Sequence, residues 1–165
     1  MSRFAFDNMT RLAWLEGSDA INDITGPTTA ELAGEVDLSN HLPKNGWQPG
    51  NTPNMVDSAT IVDIFDAQGV GTWGGGLTVE FYKDNDPVKD VAYSAFTYGQ
   101  EGFLVIRFGI PYDTAWADGQ PVEVWPVQAH EPLMNQPEAN TQARFTVGFA
   151  VTRTPALHAV VGGGS

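Results

Sequence analysis

The sequence predicts a mainly β protein, a β-sandwich or barrel with one flanking α-helix. The first sign is a series of short apolar runs separated by glycine and proline, which number 18 and 11 of 165 residues and together exceed the usual share of about 12%. The second is the alternation of apolar and small residues over Arg144–Arg153, typical of a half-buried strand. Only one segment, 86–99, has the spacing and caps of a helix, so we expect about six strands and one helix.

The N-terminal part carries one predicted strand and one short helical turn. Arg11–Leu15 is an apolar strand candidate. Segment 27–33 is predicted to form a helical turn, because Thr28 and Glu31 have the capping-box spacing, in which each side chain accepts a hydrogen bond from the other residue's backbone N–H. Gly34 stands where such a turn ends.

The middle of the chain combines a long loop with two predicted strands. After the short segment Val36–Ser39, residues 42–53 are rich in proline, glycine and asparagine, and loops of this length are usually functional or disordered. Ile61–Phe65 is apolar apart from Asp63, which predicts a strand. Leu77–Tyr82 alternates strictly, with three apolar side chains on one face.

The predicted helix lies between Asp86 and Gly99. Asp86 offers an N-cap and is followed by a proline at the first helical position, while Gly99 is placed to end the helix. Apolar residues recur at helical spacing: Val88, Val91, Ala92 and Ala95. We expect a helix of about three turns whose apolar stripe lies against a sheet.

The C-terminal part is predicted to return to strands. Phe103–Phe108 is apolar on both faces, as in a strand that is buried on both sides. Val122–Gln128 alternates less well, and its Pro126 cannot donate to a ladder, which predicts an edge strand or a bulge. We expect a single domain over residues 1–161, followed by a flexible Gly/Ser tail at 162–165.

The charge of the chain limits its partners. Twenty acidic and eight basic residues give a net charge of −12, which argues against ordinary nucleic-acid binding because phosphate backbones are repelled. The stretch between Lys44 and Lys83 holds no base. Its acidic residues are Asp57, Asp63, Asp66 and Glu80. Two interpretations remain open: a solvated acidic surface that maintains solubility, or a surface selected to repel a polyanion.

Cysteine and targeting signals are missing from the sequence. Without cysteine, no disulfide, thiolate nucleophile or Cys-bound metal is expected. The sequence shows neither a signal peptide nor an apolar run of membrane-spanning length. We expect a soluble protein made in the cytosol.

No motif predicts catalysis, and no cofactor or metal is expected. Gly69–Gly74 matches the dinucleotide fingerprint, but that mechanism needs a helix after the glycines. Here a strand follows, so we expect a glycine-rich turn. The histidines stand far apart and none has a second ligand at metal spacing: His41, His130 and His158. Asp63 and Asp66 remain candidates to pair with Glu80 as glycosidase carboxylates, which only their separation in space can decide.

Five tryptophans keep a carbohydrate-binding module open as the alternative function, because exposed indole rings stack on sugars. Trp14, Trp73 and Trp125 fall in or beside predicted strands, where burial is the ordinary outcome. Trp47 and Trp116 fall in loops. These two are the better candidates for exposed contacts with a sugar or with a neighbouring subunit.

A series of short motifs runs in order from Arg11 to Val161. They are Arg11–Leu15, 27–32, Val36–Leu38, Asn45–Trp47, Asp63–Gln68, Gly71–Gly75, Leu77–Tyr82, Gly102–Arg107, Val122–Val127, Ala143–Val151 and Thr154–Leu157. In their order and spacing the chain resembles the major tail tube proteins of siphovirus-type bacteriophages, particularly those that infect actinobacteria.

The resemblance implies a structural subunit, located in the virion tail, with a β-sandwich-like core and one flanking helix. Family members form hexameric rings in which strands of each subunit close a β-barrel around a lumen. The rings stack into a tube around the tape measure protein, with tail-end proteins as further partners. Genomic DNA would pass through the acidic lumen without specific binding.

Within this resemblance we predict where the assembly surfaces lie. The base-free interval 45–82 is expected to line the lumen, with Asp57, Asp63, Asp66 and Glu80 as lumen-facing charges. The neutral face of Arg144–Thr152 is the second candidate for a lumen or inter-subunit surface, and loop 42–53 is the candidate for ring stacking. The residues predicted at inter-ring or inter-subunit contacts are Trp47, Pro49, Asn51, Trp73 and Trp116.

Overall fold

The computed structural model describes residues 3, 5–50, 52–62, 64–65 and 67–162. This part forms eleven strands, a 3₁₀ turn at Ser39–His41 and two short helices, α1 (Thr29–Leu32) and α2 (Val91–Ala95). The strands are β1 (Thr10–Glu16), β2 (Val36–Asp37), β3 (Trp47–Pro49), β4 (Thr52–Asp57), β5 (Gln68–Gly74), β6 (Gly76–Tyr82), β7 (Glu101–Phe108), β8 (Pro121–Ala129), β9 (Leu133–Met134), β10 (Arg144–Val151) and β11 (Ala156–Val160). The predicted mainly β fold is confirmed.

Nine strands form one antiparallel sheet in the order β2-β1-β7-β8-β10-β6-β3, with β11 paired to β8 and β9 to β10 outside this path. The ring centroids of Trp14 on β1 and Phe149 on β10 lie 6.3 Å apart, although β7 and β8 separate these strands within the sheet. The sheet therefore curls over, and its two halves pack face to face as in a β-sandwich.

The core lies on both faces of β7. Leu104 and Ile106 join a cluster between the two halves of the sheet, whereas Phe103 and Val105 join a second cluster that includes Leu32 of α1. All five side chains are at most 1% exposed. Since burial of one such side chain contributes about 1.5–3 kcal/mol, β7 anchors both clusters, and the predicted double burial of this strand is confirmed.

Three further elements form as predicted. In α1 both halves of the capping box are present: Glu31 N–H donates to Thr28 Oγ1 at 3.1 Å, and Thr28 N–H donates to Glu31 Oε1 at 2.9 Å. Strand β6 pairs with β10 along its whole length. Their inward residues are at most 4% exposed: Leu77, Val79, Phe81, Phe145, Val147 and Phe149.

The expectation that Pro126 marks an edge strand was wrong, because β8 lies inside the sheet. On one side of β8, β10 pairs with Val127–Ala129 and β11 pairs with Pro121–Val124. The Pro126 carbonyl accepts from Thr152 N–H at 3.0 Å, and the N and O of one strand residue point to the same side. The N–H group that Pro126 lacks would therefore point between β10 and β11, where β8 makes no ladder hydrogen bond.

The predicted three-turn helix is instead one turn over residues 86–90 followed by the five-residue α2. Asp86 caps that first turn, since its carboxylate accepts from Val88 N–H at 3.0 Å. The buried Asp90 carboxylate binds the Lys83 ammonium group and accepts from Asp84 N–H, and Asp90 leaves helical geometry at φ −84°, ψ 54°. These local bonds compete with a continuous helix.

The predicted strand Ile61–Phe65 was also wrong. Residues 61–62 form a turn and residues 64–65 a bend between β4 and β5, and Asp63 lies outside the described residues. Loop 42–53 likewise contains β3 and the start of β4. A short apolar run does not by itself distinguish a buried strand from an exposed loop.

Candidate assembly surfaces

The hairpin of β4 and β5 is a separate two-stranded sheet, which pairs with no other strand in the described part of the chain. Its register places Thr52 opposite Gly74 and Asp57 opposite Gln68. Every residue of β4 is exposed. At about 3.3 Å per residue, β4 extends about 20 Å. A two-stranded hairpin is at best marginally stable alone in water.

The hairpin tip, residues 58–67, is both apolar and acidic. Its apolar side chains are 81–106% exposed: Ile61, Val62, Ile64 and Phe65. The Asp57 carboxylate accepts from Ala59 N–H at 3.0 Å, and Ser58 N–H donates to Ala67 O at 3.0 Å. Exposed Asp57 therefore also shapes the turn that presents the tip. Asp63 and Asp66 lie outside the described residues.

Glycines join the hairpin to the main sheet. Gly50 N–H donates to Gly76 O at 2.7 Å, and a Cβ at Gly75 would lie 2.5 Å from Gly50 O. Only glycine at position 75 allows the two backbone segments to approach this closely at the root of the hairpin. Residues 69–74, where a glycine-rich turn was expected, belong to strand β5. The turn lies at Gly75, and strand β6 follows it instead of a helix.

The edge strand β3 holds two of the predicted contact residues. The Trp47 ring meets Trp125 edge-on, with centroids 5.9 Å apart, so half of this side chain packs on its own core. Gln48 and Pro49 are exposed, and Pro49 removes one donor from an edge that is already short. Asn51 lies outside the described residues.

The outer face of β6 and β10 is nearly neutral. Arg144 Nη1 donates to Glu80 Oε1 at 3.1 Å, and its guanidinium lies 5.0 Å from the centre of the Tyr82 ring. Thr146 Oγ1 donates to Asn135 Oδ1 at 2.6 Å. The charge of Glu80 is thus offset by Arg144.

The remaining tryptophans do not form a sugar-binding platform in the described part of the chain. Trp14 and Trp125 are buried, but Trp73, expected to be buried, is 45% exposed on β5. The guanidiniums of Arg11 and Arg107 lie 5.0 and 4.8 Å from the Trp116 ring centre. Trp47 and Trp116 are therefore half-buried within their own chain, which weakens the carbohydrate-binding alternative.

The titratable side chains of the described residues do not gather at one place. Among the described residues, no three histidine or acidic side chains converge as metal ligands, and Glu80 binds Arg144 instead of a second carboxylate. Glu123 is half-buried on β8, and burial raises its pKa although the Trp125 indole N–H donates to its carboxylate at 3.3 Å. Neither helix of the described part has the length and hydrophobicity to cross a bilayer.

Sequence reasoning missed that the apolar residues around Ile61 and Ile64 are exposed. The available signal was their position: they sit between Asp57 and Asp66 beside a glycine-rich strand, with no alternating polar face. An apolar segment flanked in this way suits a loop tip that contacts another molecule.

The fold defines a β-sandwich protein with short edge strands and a hairpin outside the main sheet. Residues 1–164 match the family model of the phage tail tube protein. The chain belongs to the phage tail tube protein family and is a structural component of the virion tail. No curated protein matches it.

A solved structure supports the same fold. A chain in the cryo-EM structure of the anti-feeding prophage (AFP) baseplate, 6-fold symmetrised, is similar with a TM-score of 0.57 and 11% sequence identity. The similarity covers 98% of this chain and 98% of that one.

Proposed function

We propose that copies of this chain form hexameric rings that stack into the phage tail tube, and that the chain catalyses no reaction. The observation that carries this proposal is the β4–β5 hairpin, whose tip leaves Ile61 and Ile64 fully exposed. Burial against a neighbouring copy would contribute about 1.5–3 kcal/mol for each large apolar side chain. Assembly therefore supplies the contacts that a lone hairpin lacks.

Ring closure would use the ends of the main sheet. Strand β2 ends one side and pairs with Ala13 and Trp14 of β1, and the next two residues bond Leu12. Strand β3 ends the other side. Backbone groups at such edges pair readily with a strand of another chain. The six-fold symmetry of the similar baseplate structure supports six subunits per ring.

The lumen of this tube would pass genomic DNA without binding it. The net charge of −12 supports a lining that repels phosphate, an effect limited to about 8 Å by physiological salt. We propose Asp57, Asp63 and Asp66 as lumen charges, with Glu80 contributing less because it binds Arg144. The tape measure protein and the tail-end proteins are the proposed partners.

Negative-stain microscopy of the purified protein tests assembly. We expect tubes or six-fold rings from the wild type and from a control variant, Val88→Asp, whose position is 84% exposed outside the hairpin. The double variant Ile61→Asp/Ile64→Asp should form no tubes, because charges cannot be buried at the contact. A wild-type protein that stays monomeric at high concentration would contradict the proposal.

Retention of DNA tests the lumen. Tubes of Asp57→Lys should retain linear duplex DNA at low salt, whereas wild-type tubes should not, because the reversed charge attracts phosphate. Asp118→Lys makes the same charge change at an exposed position in the β7–β8 loop and should behave as wild type. Equal retention by the two variants would rule out a special position for Asp57.

A further inference from the structure

A tight turn leads into the edge strand β3 and ends with Asn45 and Gly46. Gly46 N–H donates to Pro43 O at 3.0 Å, which closes the turn. The backbone carbonyl of Asn45 accepts from Gln48 Nε2 at 3.2 Å. Among the asparagines of the chain, only Asn45 is followed by glycine.

An asparagine before a glycine is chemically labile. The backbone nitrogen of the glycine attacks the side-chain Cγ of the asparagine, and a C–N bond forms while the amide nitrogen leaves as ammonia with the proton of the attacking nitrogen. Water then opens the resulting cyclic imide at either carbonyl, which leaves aspartate or isoaspartate. Glycine favours the attack, because it has no Cβ to shield its nitrogen or to restrict the backbone.

The folded turn protects Asn45 from this attack. Asn45 is exposed, but Gly46 is buried, and its N–H is already bound to Pro43 O. A nitrogen that donates a hydrogen bond in this way is directed at its acceptor and not at the side chain of Asn45. The attack therefore requires the turn to open first, and short segments at the edge of a sheet open more readily than its core.

The position of Gly46 leaves no room for a longer backbone. Its carbonyl accepts from Glu80 N–H at 2.9 Å, next to the β3–β6 ladder. A Cβ at Gly46 would lie 2.5 Å from Glu80 O, 2.9 Å from Pro43 Cδ and 3.0 Å from Leu42 Cδ1. Isoaspartate adds one carbon to the backbone before Gly46, so the modified chain cannot restore these close contacts.

We propose that Asn45 is a site of spontaneous deamidation, which the closed turn prevents and the opening of β3 permits. Conversion to isoaspartate then keeps the turn from closing again, so that a transient opening becomes permanent. Trp47 limits the opening, because its ring packs on Trp125 and holds β3 on the core. The inference is independent of the proposed tube function, since it rests on bonds within a single chain.

Ageing of the purified protein in mildly alkaline buffer, followed by trypsin digestion and tandem mass spectrometry, tests the site. Trypsin leaves Asn45, Asn51 and Asn54 in one peptide, 45–83. In urea that unfolds the chain, Asn45 should lose its amide well before the other two. In native buffer Asn45 should react severalfold more slowly, and Trp47→Ala should recover part of the rate in urea. Equal rates in the native and the unfolded chain would overturn the proposal.

Hydrogen exchange separates the backbone change from the new charge. In the isoaspartate form, purified by chromatography, the Glu80 amide should lose its protection, because its acceptor at Gly46 is displaced. Freshly purified Asn45→Asp carries the same charge without the added carbon and should keep that protection. Asn45→Gln is the control for ageing, because the longer side chain forms its ring slowly. An isoaspartate form with wild-type exchange at Glu80 would contradict the permanent opening of β3.

Discussion

The indole of Trp14 on β1 occupies the space that a side chain at Gly102 on β7 would need. A Cβ at position 102 would lie 2.5 Å from Cη2 and 2.8 Å from Cζ2 of the indole. Trp14 is 1% exposed, and its ring packs against Phe96 with centroids 5.0 Å apart. The glycine therefore allows the largest buried ring of the core to lie across β7.

Gly102→Ala should destabilise the fold, because neither the β1 backbone nor the packed indole can yield without strain. We expect a loss of about 1–3 kcal/mol in the free energy of unfolding, measured from the urea midpoint. Gly74→Ala is the matched control, since nothing lies within 4 Å of a Cβ at that position. Equal midpoints for the two variants would contradict this account.

Arg107→Met should destabilise the loop between β7 and β8. Arg107 is fully buried, and its guanidinium donates to Pro111 O, Thr114 O and Gln120 Oε1 at 2.9–3.0 Å. Each acceptor keeps a second donor (Thr114 N–H, Arg11 Nη1 and Ala117 N–H), but methionine would remove three hydrogen bonds from a charged group, at a cost of about 2–4 kcal/mol. Urea unfolding should show the loss, together with changed Trp116 fluorescence. Exposed Arg153, replaced by methionine, is the control and should change the midpoint by less than about 0.5 kcal/mol.

Acid should weaken α1 through Glu31. Burial raises the pKa of this carboxyl, but hydrogen bonds from the N–H groups of Thr28 and Asn22 outweigh burial, so the pKa lies below its usual value of 4.5. The folded state therefore binds the proton less tightly, and the stabilisation present above the unfolded pKa is lost as pH falls. Between about pH 5 and 3 the melting temperature of Glu31→Gln should fall less than that of the wild type.

The matched control for Glu31 is Glu16→Gln, at an exposed position on β1. It should keep the wild-type dependence of melting temperature on pH. A Glu31→Gln variant with the same acid slope as the wild type would show that the capping box does not carry this effect.

Glu123→Gln should have the opposite effect on stability. Burial raises the pKa of Glu123, so the charged carboxylate costs stability once pH exceeds the unfolded pKa. Glutamine keeps an acceptor for the Trp125 indole N–H and removes the charge. We expect a higher melting temperature than wild type at about pH 7 and a difference that vanishes below about pH 4. A destabilised variant at neutral pH would contradict this prediction.

Local sequence patterns were sufficient to predict the elements that are set by residues close together in the sequence. The capping box of α1 joins residues three apart, and the alternation of β6 and β10 follows from the pleat of a strand. The apolar character of both faces of β7 likewise predicted its place in the centre of the sheet. The order and spacing of the short motifs indicated the tail tube family by resemblance.

Contacts with residues outside the predicted segment decided the elements that sequence reasoning missed. Lys83 binds Asp90 and interrupts a helix whose caps and spacing were otherwise sound. Pro126 is tolerated inside the sheet because β10 and β11 leave a gap beside it. Glu80 is offset by Arg144, 64 residues away. None of these partners can be identified from the pattern of a single segment.

The sequence alone determined the β class, the acidic surface and the short elements, because propensity, patterning and charge act over a few neighbouring residues. Only the tertiary structure decided that the hairpin stands apart from the sheet and that Pro126 lies inside it. Both depend on which strands pair and where the sheet curls. Strand pairing is settled by burial summed over the whole chain, which no local pattern contains.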